Sequence, residues 1–415
     1  MKTKLCIIGA GPAGLTAAIF AARQGAQVLL VERNTTAGRK LLKTGRGRCN
    51  LTHTGSIEEF VRAYGPCGRF LKPALYAFSP QQVREFFHSR NVPTQEEKDG
   101  CVFPVSSKAS DISQCLLETA RELGVWFLYG RRAEHITANH QEFEIRTDKE
   151  TIVSRAVILA TGGASWPMTG STGDGYRLAA DFGHSIIAPK PALCPLVTEE
   201  KWPGCLQGVG IPTVRIRACA EGRRWESEGP LMFTADGIGG PAVFDLSRHL
   251  TDILSHNEKP VPAHIDWLPD LDLQTLENRL LAEMAAHPKK EPAGILSAFL
   301  PRQLAQQIQS LLWGNEKIPA SHISRSQRKD LLNLLKSCAL TVAKTAPLEQ
   351  ATITRGGVSR NEIDPSTMES RLHSNLFFAG EVIDADGPCG GYNLQIAWST
   401  GALAGLSAAQ KNRQQ

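Results

Sequence analysis

KLCIIGAGPAGLTAAIFAARQGAQVLLVE, residues 4–32, decides the fold. Lys4–Ile8 is a short apolar strand, and Gly9, Gly11 and Gly14 follow it at once in G-x-G-x-x-G spacing. Leu15–Gly25 then reads as a helix of small apolar residues, and Ala26–Glu32 as a second buried strand ending in an acid. Gly9 allows the tight turn, Gly11 lets backbone approach a pyrophosphate, and Gly14 lets helix pack on strand. Pro12 and Ala13, in the turn before that helix, are also candidates for the cofactor site, and the helix's free N–H groups and positive dipole end suit phosphates. Glu32 lies 18 residues past Gly14, where a carboxylate takes ribose hydroxyls and repels a 2′-phosphate. Glycine spacing alone is weak evidence; strand, glycines, helix, strand and acid in order predict a ligand with an adenosine diphosphate moiety. NAD and FAD fit this unit equally.

MKTK before an apolar run imitates a signal peptide, but the glycines and Pro12 interrupt the run and a second strand follows. No other stretch approaches the length of a transmembrane helix. At 415 residues, two or three domains are expected. Composition is that of a globular protein, 42% hydrophobic and 21% charged, and the net charge of +5 permits anionic ligands without requiring nucleic acid or membrane. The ten Cys form no C-x-x-C pair, so no zinc site or redox dithiol is signalled, and no metal is expected. Dispersed thiols read as reduced and mostly buried, which places the protein in the cytoplasm.

Six residues after Glu32 begins GRKLLKTGRGRCNLTH (Gly38–His53), with five Lys and Arg and three Gly in 16 residues. Further along come VILATGG (Val157–Gly163), continuing through SWPMTGSTGDGY, then NLFFAGE (Asn375–Glu381) and GGYNLQIAWSTGALAG (Gly390–Gly405). Together with the first unit these segments resemble the bacterial FAD-dependent flavoproteins of the aminoacetone-oxidase-like (BaiN/RdsA-type) family. That family is distantly related to fumarate reductase and succinate dehydrogenase flavoproteins, and the likeness spans essentially the whole chain.

The resemblance implies FAD. Besides the first glycines and Glu32, it makes Arg33, Arg39, Lys40, Gly45, Gly47, Arg48, Cys49 and Asn50 candidates for cofactor binding. Lys40 and Arg48 offset phosphate charge in this reading, Gly45 and Gly47 permit close backbone approach, and Asn50 bonds the cofactor. Thr161, Gly162 and Gly163 form a second glycine turn. Gly380 and Glu381 sit beside ribitol and pyrophosphate in related flavoproteins. Gly391, Tyr392, Asn393 and Leu394 start a helix whose N–H groups face the flavin N1/C2=O edge. No second G-x-G-x-x-G unit occurs, so NAD(P)H is expected only as a transient reductant. Arg46 stands where many relatives have Gly. The family's THxG-x-SGP pattern is replaced by TADGIGGPA (Thr234–Ala242), with Asp236 nearby.

For chemistry, Tyr392 is a candidate to orient substrate or donate a proton, against the plainer reading of a ring packed on the cofactor. Cys389 is a candidate redox thiol, against an inert one. Asp384 and Asp386 read as solvated surface residues, and His184 and His373 as ordinary polar side chains.

The expected fold is α/β: a Rossmann-like FAD-binding domain from both ends of the chain, with an inserted β-rich plus helical cap. Residues 1–190 and 351–415 form the FAD domain, 191–270 and 337–350 the β-rich cap, and 271–336 a helical subdomain. LCPLVTE, TVRIRACAE, RRWESEG and AVFDLS read as cap strands; TLENRLLAEMAAH, ILSAFLPRQLAQQIQSLLW and SQRKDLLNLLKSC as its helices. The substrate cleft is expected at the junction. The expected function is NAD(P)H-dependent reduction of an unsaturated small organic substrate through flavin N5. One alternative is an oxygen-using amine or aminoketone oxidase. Another is an RNA-binding or RNA-modifying flavoprotein, suggested by the basic loop and by Arg223, Arg224, Arg325, Arg328 and Lys329. Solvated faces explain the last two clusters more simply, so a small-molecule partner is expected, without nucleic acid or membrane.

Overall fold

Buried runs of Ile, Leu and Val become parallel strands covered on both faces. β1 (Lys2–Ile8) and β2 (Val28–Glu32) pair in parallel, with α1 (Pro12–Arg23) crossing between them. The computed structural model describes residues 1–139, 142–257, 259–314 and 316–414, and the chain divides into two compact units. Met1–Pro191 and Thr352–Gln415 make one, and Ala192–Ala351 the other.

In the first unit, β3 (Thr52–His53) precedes α2 (Ile57–Ala63), α3 (Gly68–Ala77) and α4 (Pro80–His88). Ser79 caps α4 reciprocally with Gln82, the signal that its sequence carries. β4 (Thr94–Glu96) and β5 (Cys101–Pro104) complete a small antiparallel sheet with β3. α5 (Ala109–Glu122) leads into β6 (Trp126–Tyr129), followed by the meander β7 (Ala133–Asn139), β8 (Glu142–Thr147) and β9 (Thr151–Leu159). α6 (Asp174–Ala180) and β10 (Ile186–Ala192) end this part of the chain.

The second unit is a closed six-stranded barrel with helices. Its strands are β11 (Leu196–Thr198), β12 (Gly210–Ala220), β13 (Arg223–Thr234), β14 (Gly237–Gly239), β15 (Val261–Asp266) and β16 (Cys338–Thr345), joined in the order β11-β14-β13-β12-β15-β16. α7 (Pro241–Asn257) follows β14, and α8 (Leu273–Ala286), α9 (Pro292–Leu296), α10 (Arg302–Trp313) and α11 (Arg325–Lys336) come between β15 and β16. Ile216, Phe233, Ile265, Trp267 and Leu340 belong to its apolar core.

Two expectations need correction here, and one strand had no assignment. AVFDLS is not a strand but the start of α7. Val243, Leu246, Leu250 and Leu254 are all buried, a helical spacing that the six-residue window was too short to show. VPAHID, given no assignment from sequence, is a barrel strand, β15, that Pro262 disguised. The long helix expected through Pro301 is two, α9 and α10, because a proline interior to a helix removes a hydrogen bond and clashes with the preceding turn.

The chain returns to the first unit through β17 (Ile353–Val358) and β18 (Leu376–Phe378), and ends in α12 (Tyr392–Gln414). The main sheet runs β6-β2-β1-β9-β8-β7, and β18 lies parallel to the last residues of β9. The strands β6, β2, β1, β9 and β18 therefore end on one edge, where open parallel sheets hold their ligands. Against this sheet α12 packs closely on α1. A Cβ at Gly401 or Gly405 would overlap the carbonyls of Ala13 or Ala17, so only glycine permits that approach.

Candidate functional site

The loops after β1, β2, β9 and β18 bring most of the candidate cofactor residues to one edge. The three fingerprint glycines differ in their surroundings. Gly9 has φ +106°, and a Cβ there would lie 2.5 Å from the Ala160 carbonyl oxygen. A Cβ at Gly14 would overlap the Gly9 carbonyl. At Gly11 a Cβ meets nothing within 4 Å. Gly11 is also the N-cap of α1, with Pro12 in the first turn and no side-chain cap. The helix start thus leaves first-turn N–H groups without a side-chain cap, the kind of terminus that suits an anion.

Glu32 is buried at the end of β2. Its Oε2 accepts from Ala10 N at 2.8 Å, and its Oε1 from Asn34 N and Nδ2, both at 2.8 Å. The carboxylate therefore ties β2 to the glycine turn and keeps acceptor capacity on Oε2 alone. Arg33 donates to Thr172 Oγ1 (2.6 Å) and Asp174 Oδ2 (3.2 Å), and Arg39 to Asn34 Oδ1 (2.9 Å). Arg132 also grips Asp174, and its hydrogen bond leads the effects that hold that carboxyl below its ordinary range.

The basic loop folds as a 3-10 turn, Leu41–Gly47, broken at Thr44. Gly45, Arg46, Gly47 and Cys49 all have positive φ. The roles expected for its cations change. Lys40 Nζ donates to Ser165 Oγ (2.7 Å) and to both oxygens of Glu381 (3.0 and 2.7 Å). Arg48 pairs with Glu97 at 2.7 Å and lies 4.0 Å over the Phe103 ring. Neither is left as an unpaired charge for phosphate, because each has an acidic partner distant in sequence. Cys49 is fully buried, and burial pushes its thiol up to about 12. Asn50 keeps its side-chain oxygen buried without a hydrogen-bond partner. Arg46 is exposed.

After β9, Thr161 packs under α6, where a Cβ at Gly175 would overlap its hydroxyl. Gly162 has φ +75°, and Gly163 admits Thr354 and Glu381, whose polar atoms a Cβ would crowd. Thr354 Oγ1 accepts from Ala164 N (2.8 Å) and Ser165 N (3.0 Å). Gly380 N donates to Thr400 Oγ1 at 2.9 Å, anchoring the β18 turn to α12.

At the start of α12, Gly391 lies against Thr52 of β3. The Tyr392 ring is packed by Phe60 (4.8 Å between centroids), His53 (4.9 Å) and Tyr64 (5.9 Å), and Tyr64 OH donates to the Tyr392 carbonyl at 2.9 Å. Asn393 is spent on its own loop: Oδ1 accepts from Gly387 N, and Nδ2 donates to the carbonyls of Gly387 and Pro388. Leu394 packs against the core. Cys389 is half-buried.

Two acids expected at the surface are not there. Asp386 is buried, and burial raises the Asp384 carboxyl against the opposing charge of Arg360. His184 is buried between Glu362 (3.2 Å) and Ser370 (2.8 Å). Sequence reading gave no role to His53 and Ser165, although both lie within quoted motifs, nor to Thr354; only their place beside glycine turns hints at them. Among the described residues no cluster of three or more His, Cys, Asp or Glu could hold a metal, and no helix is long and apolar enough to cross a membrane.

The residues at this edge fit FAD. The first turn of α1 carries no side-chain cap, a Cβ at Gly11 would meet nothing within 4 Å, and the buried Asn50 oxygen lacks a donor. The class of protein is that of the FAD-dependent oxidoreductases built on a Rossmann-like domain. Residues 3–407 match the family described as HI0933-like protein Rossmann domain, and the chain belongs to that family.

It is 34% identical over 412 residues to a 3-dehydro-bile acid delta(4,6)-reductase of Clostridium scindens, covering 98% of this chain and 99% of that one. It is 30% identical over 400 residues to a ribosomal RNA dihydrouridine synthase of Escherichia coli, covering 95% of each. The fold is also that of a flavocytochrome c3 fumarate reductase, with TM-score 0.51 and 17% identity over 99% of this chain and 78% of that one.

Proposed function

We propose that this flavoprotein uses NAD(P)H to saturate a carbon–carbon double bond conjugated to a carbonyl in a small, largely apolar substrate of the ketosteroid kind. One observation carries the reading: the end-to-end likeness to a reductase named for delta(4,6) bonds. The sequence's single G-x-G-x-x-G unit supports a reductant that binds only in passing. A second reading has the same chemistry on a different substrate. The dihydrouridine synthase matches nearly as fully, and its named product is a uridine with a saturated ring bond.

FAD, when bound, supplies a two-electron carrier between reductant and acceptor. In this reading the N–H groups at Gly11–Gly14 hold the pyrophosphate and Glu32 Oε2 takes a ribose hydroxyl. Gly162, Gly163 and Gly380 allow the tight turns that border the cofactor, packed against Ser171, Thr354 and Ala13. The start of α12 stabilises negative charge near it, and Asn50 accepts a hydrogen bond from it. Tyr392, fixed on three sides, orients rather than moves.

The test is anaerobic. NADH or NADPH should bleach the visible flavin band, and a conjugated ketosteroid should restore it without oxygen. Restoration by uridine-containing RNA alone favours the second reading. Bleaching by amines with recovery only in oxygen would overturn both.

A further inference from the structure

We propose that Lys40, Ser165 and Glu381 form a charge-neutral bolt that positions the FAD-binding loops, and that Lys40 makes no contact with phosphate. The proposal rests on the reading of this trough as the FAD site. A lysine ammonium has three N–H donors. Here one goes to Ser165 Oγ (2.7 Å), and two go to Glu381 (2.7 and 3.0 Å), so none is left for a ligand. Glu381 Oε1 accepts further from Thr354 N (2.7 Å) and Ser165 Oγ (3.1 Å).

Both charged side chains are about four-fifths covered, 22% and 21% exposed, so the pair is only partly screened by solvent. The three members follow the carboxyl ends of β2, β9 and β18, and they are separated in sequence by 125 residues or more. The loops they join turn on Gly162 and Gly380, both at φ +75°. Thr354 fixes the same turn from behind by accepting from two successive backbone N–H groups. A carboxylate stripped of its cation in such a setting is worse placed than a neutral pair, which gives the bolt a signature.

FAD affinity of apoprotein, followed by quenching of flavin fluorescence, is compared for wild type, Lys40→Met, Glu381→Gln and the double variant, with the melting of each apoprotein as a fold control. The bolt predicts that Lys40→Met weakens FAD about tenfold, while the double variant recovers to within about threefold of wild type with a normal bound-flavin spectrum. A folded double variant as weak as Lys40→Met would mean direct phosphate contact and overturn the proposal, as would a Lys40→Met protein that binds like wild type. If Lys40→Met does not fold, the double variant decides by the same threefold limit. A wild-type chain that takes up no FAD overturns the cofactor reading, a different failure from a double variant that alone fails to bind.

Discussion

Gly14 and Arg48 show how differently single residues declare themselves. Gly14 is required by a carbonyl within its own turn, so its role is local and its spacing from Gly9 announces it. Arg48 was expected to balance phosphate, and its pairing with Glu97 and Phe103 lies outside any local pattern. Exposed ion pairs are worth about 0–1 kcal/mol, and stacking on an aromatic adds a similar amount. Arg48→Ala should therefore keep its flavin and lose about 1 kcal/mol of stability in urea unfolding. A variant purified without FAD would return Arg48 to the phosphate. The same blindness hid the partner of Lys40, because no sequence window joins residue 40 to residue 381. The glycines of the trough were legible as a pattern; the side chains that brace them were not.

Between elements, the decisive contact is α1 against α12. Both helices are rich in Ala and Gly, and Gly405 sits where any side chain would meet the Ala17 carbonyl. Gly405→Leu should cost about 3 kcal/mol or more, since backbone cannot yield as a side-chain tip does. Thermal unfolding measures it, and an unchanged midpoint would show that the helices can part freely. A second contact between elements responds to pH. His184, after α6, is held below its ordinary range by burial, with Glu362 pulling the other way. Burial alone would raise Glu362, but hydrogen bonds from Ser185 together with His184 hold its carboxyl low and charged.

A histidine that resists protonation when folded is protonated more readily when unfolded. Its contribution is thus present above the unfolded pKa of about 6.5 and is lost as pH falls toward the lower folded value. Wild type should lose more stability between about pH 7 and about pH 5 than His184→Gln does; equal losses would remove His184 from the account. Capping is local chemistry, so a helix start such as Ser79 with Gln82 lies within a short stretch of sequence. α7 was misread because its opening residues imitate a strand.

At the scale of the whole molecule, the Rossmann-like ends were evident from sequence because βαβ units are contiguous and their buried strands are continuous. Closure of the barrel was not, since β11 pairs with β16 across about 145 residues and neither strand announces its partner. In the proposed reading both ends of the chain hold one FAD, with its pyrophosphate at the Gly11 turn. Flavin content of the purified protein tests this most directly, comparing wild type with Gly11→Val and using apoprotein melting as the control. The account predicts stoichiometric FAD in wild type, and a Gly11→Val protein that melts normally but carries little or none. Wild type that is colourless and takes up no added FAD, or Gly11→Val that keeps a full complement, would contradict it.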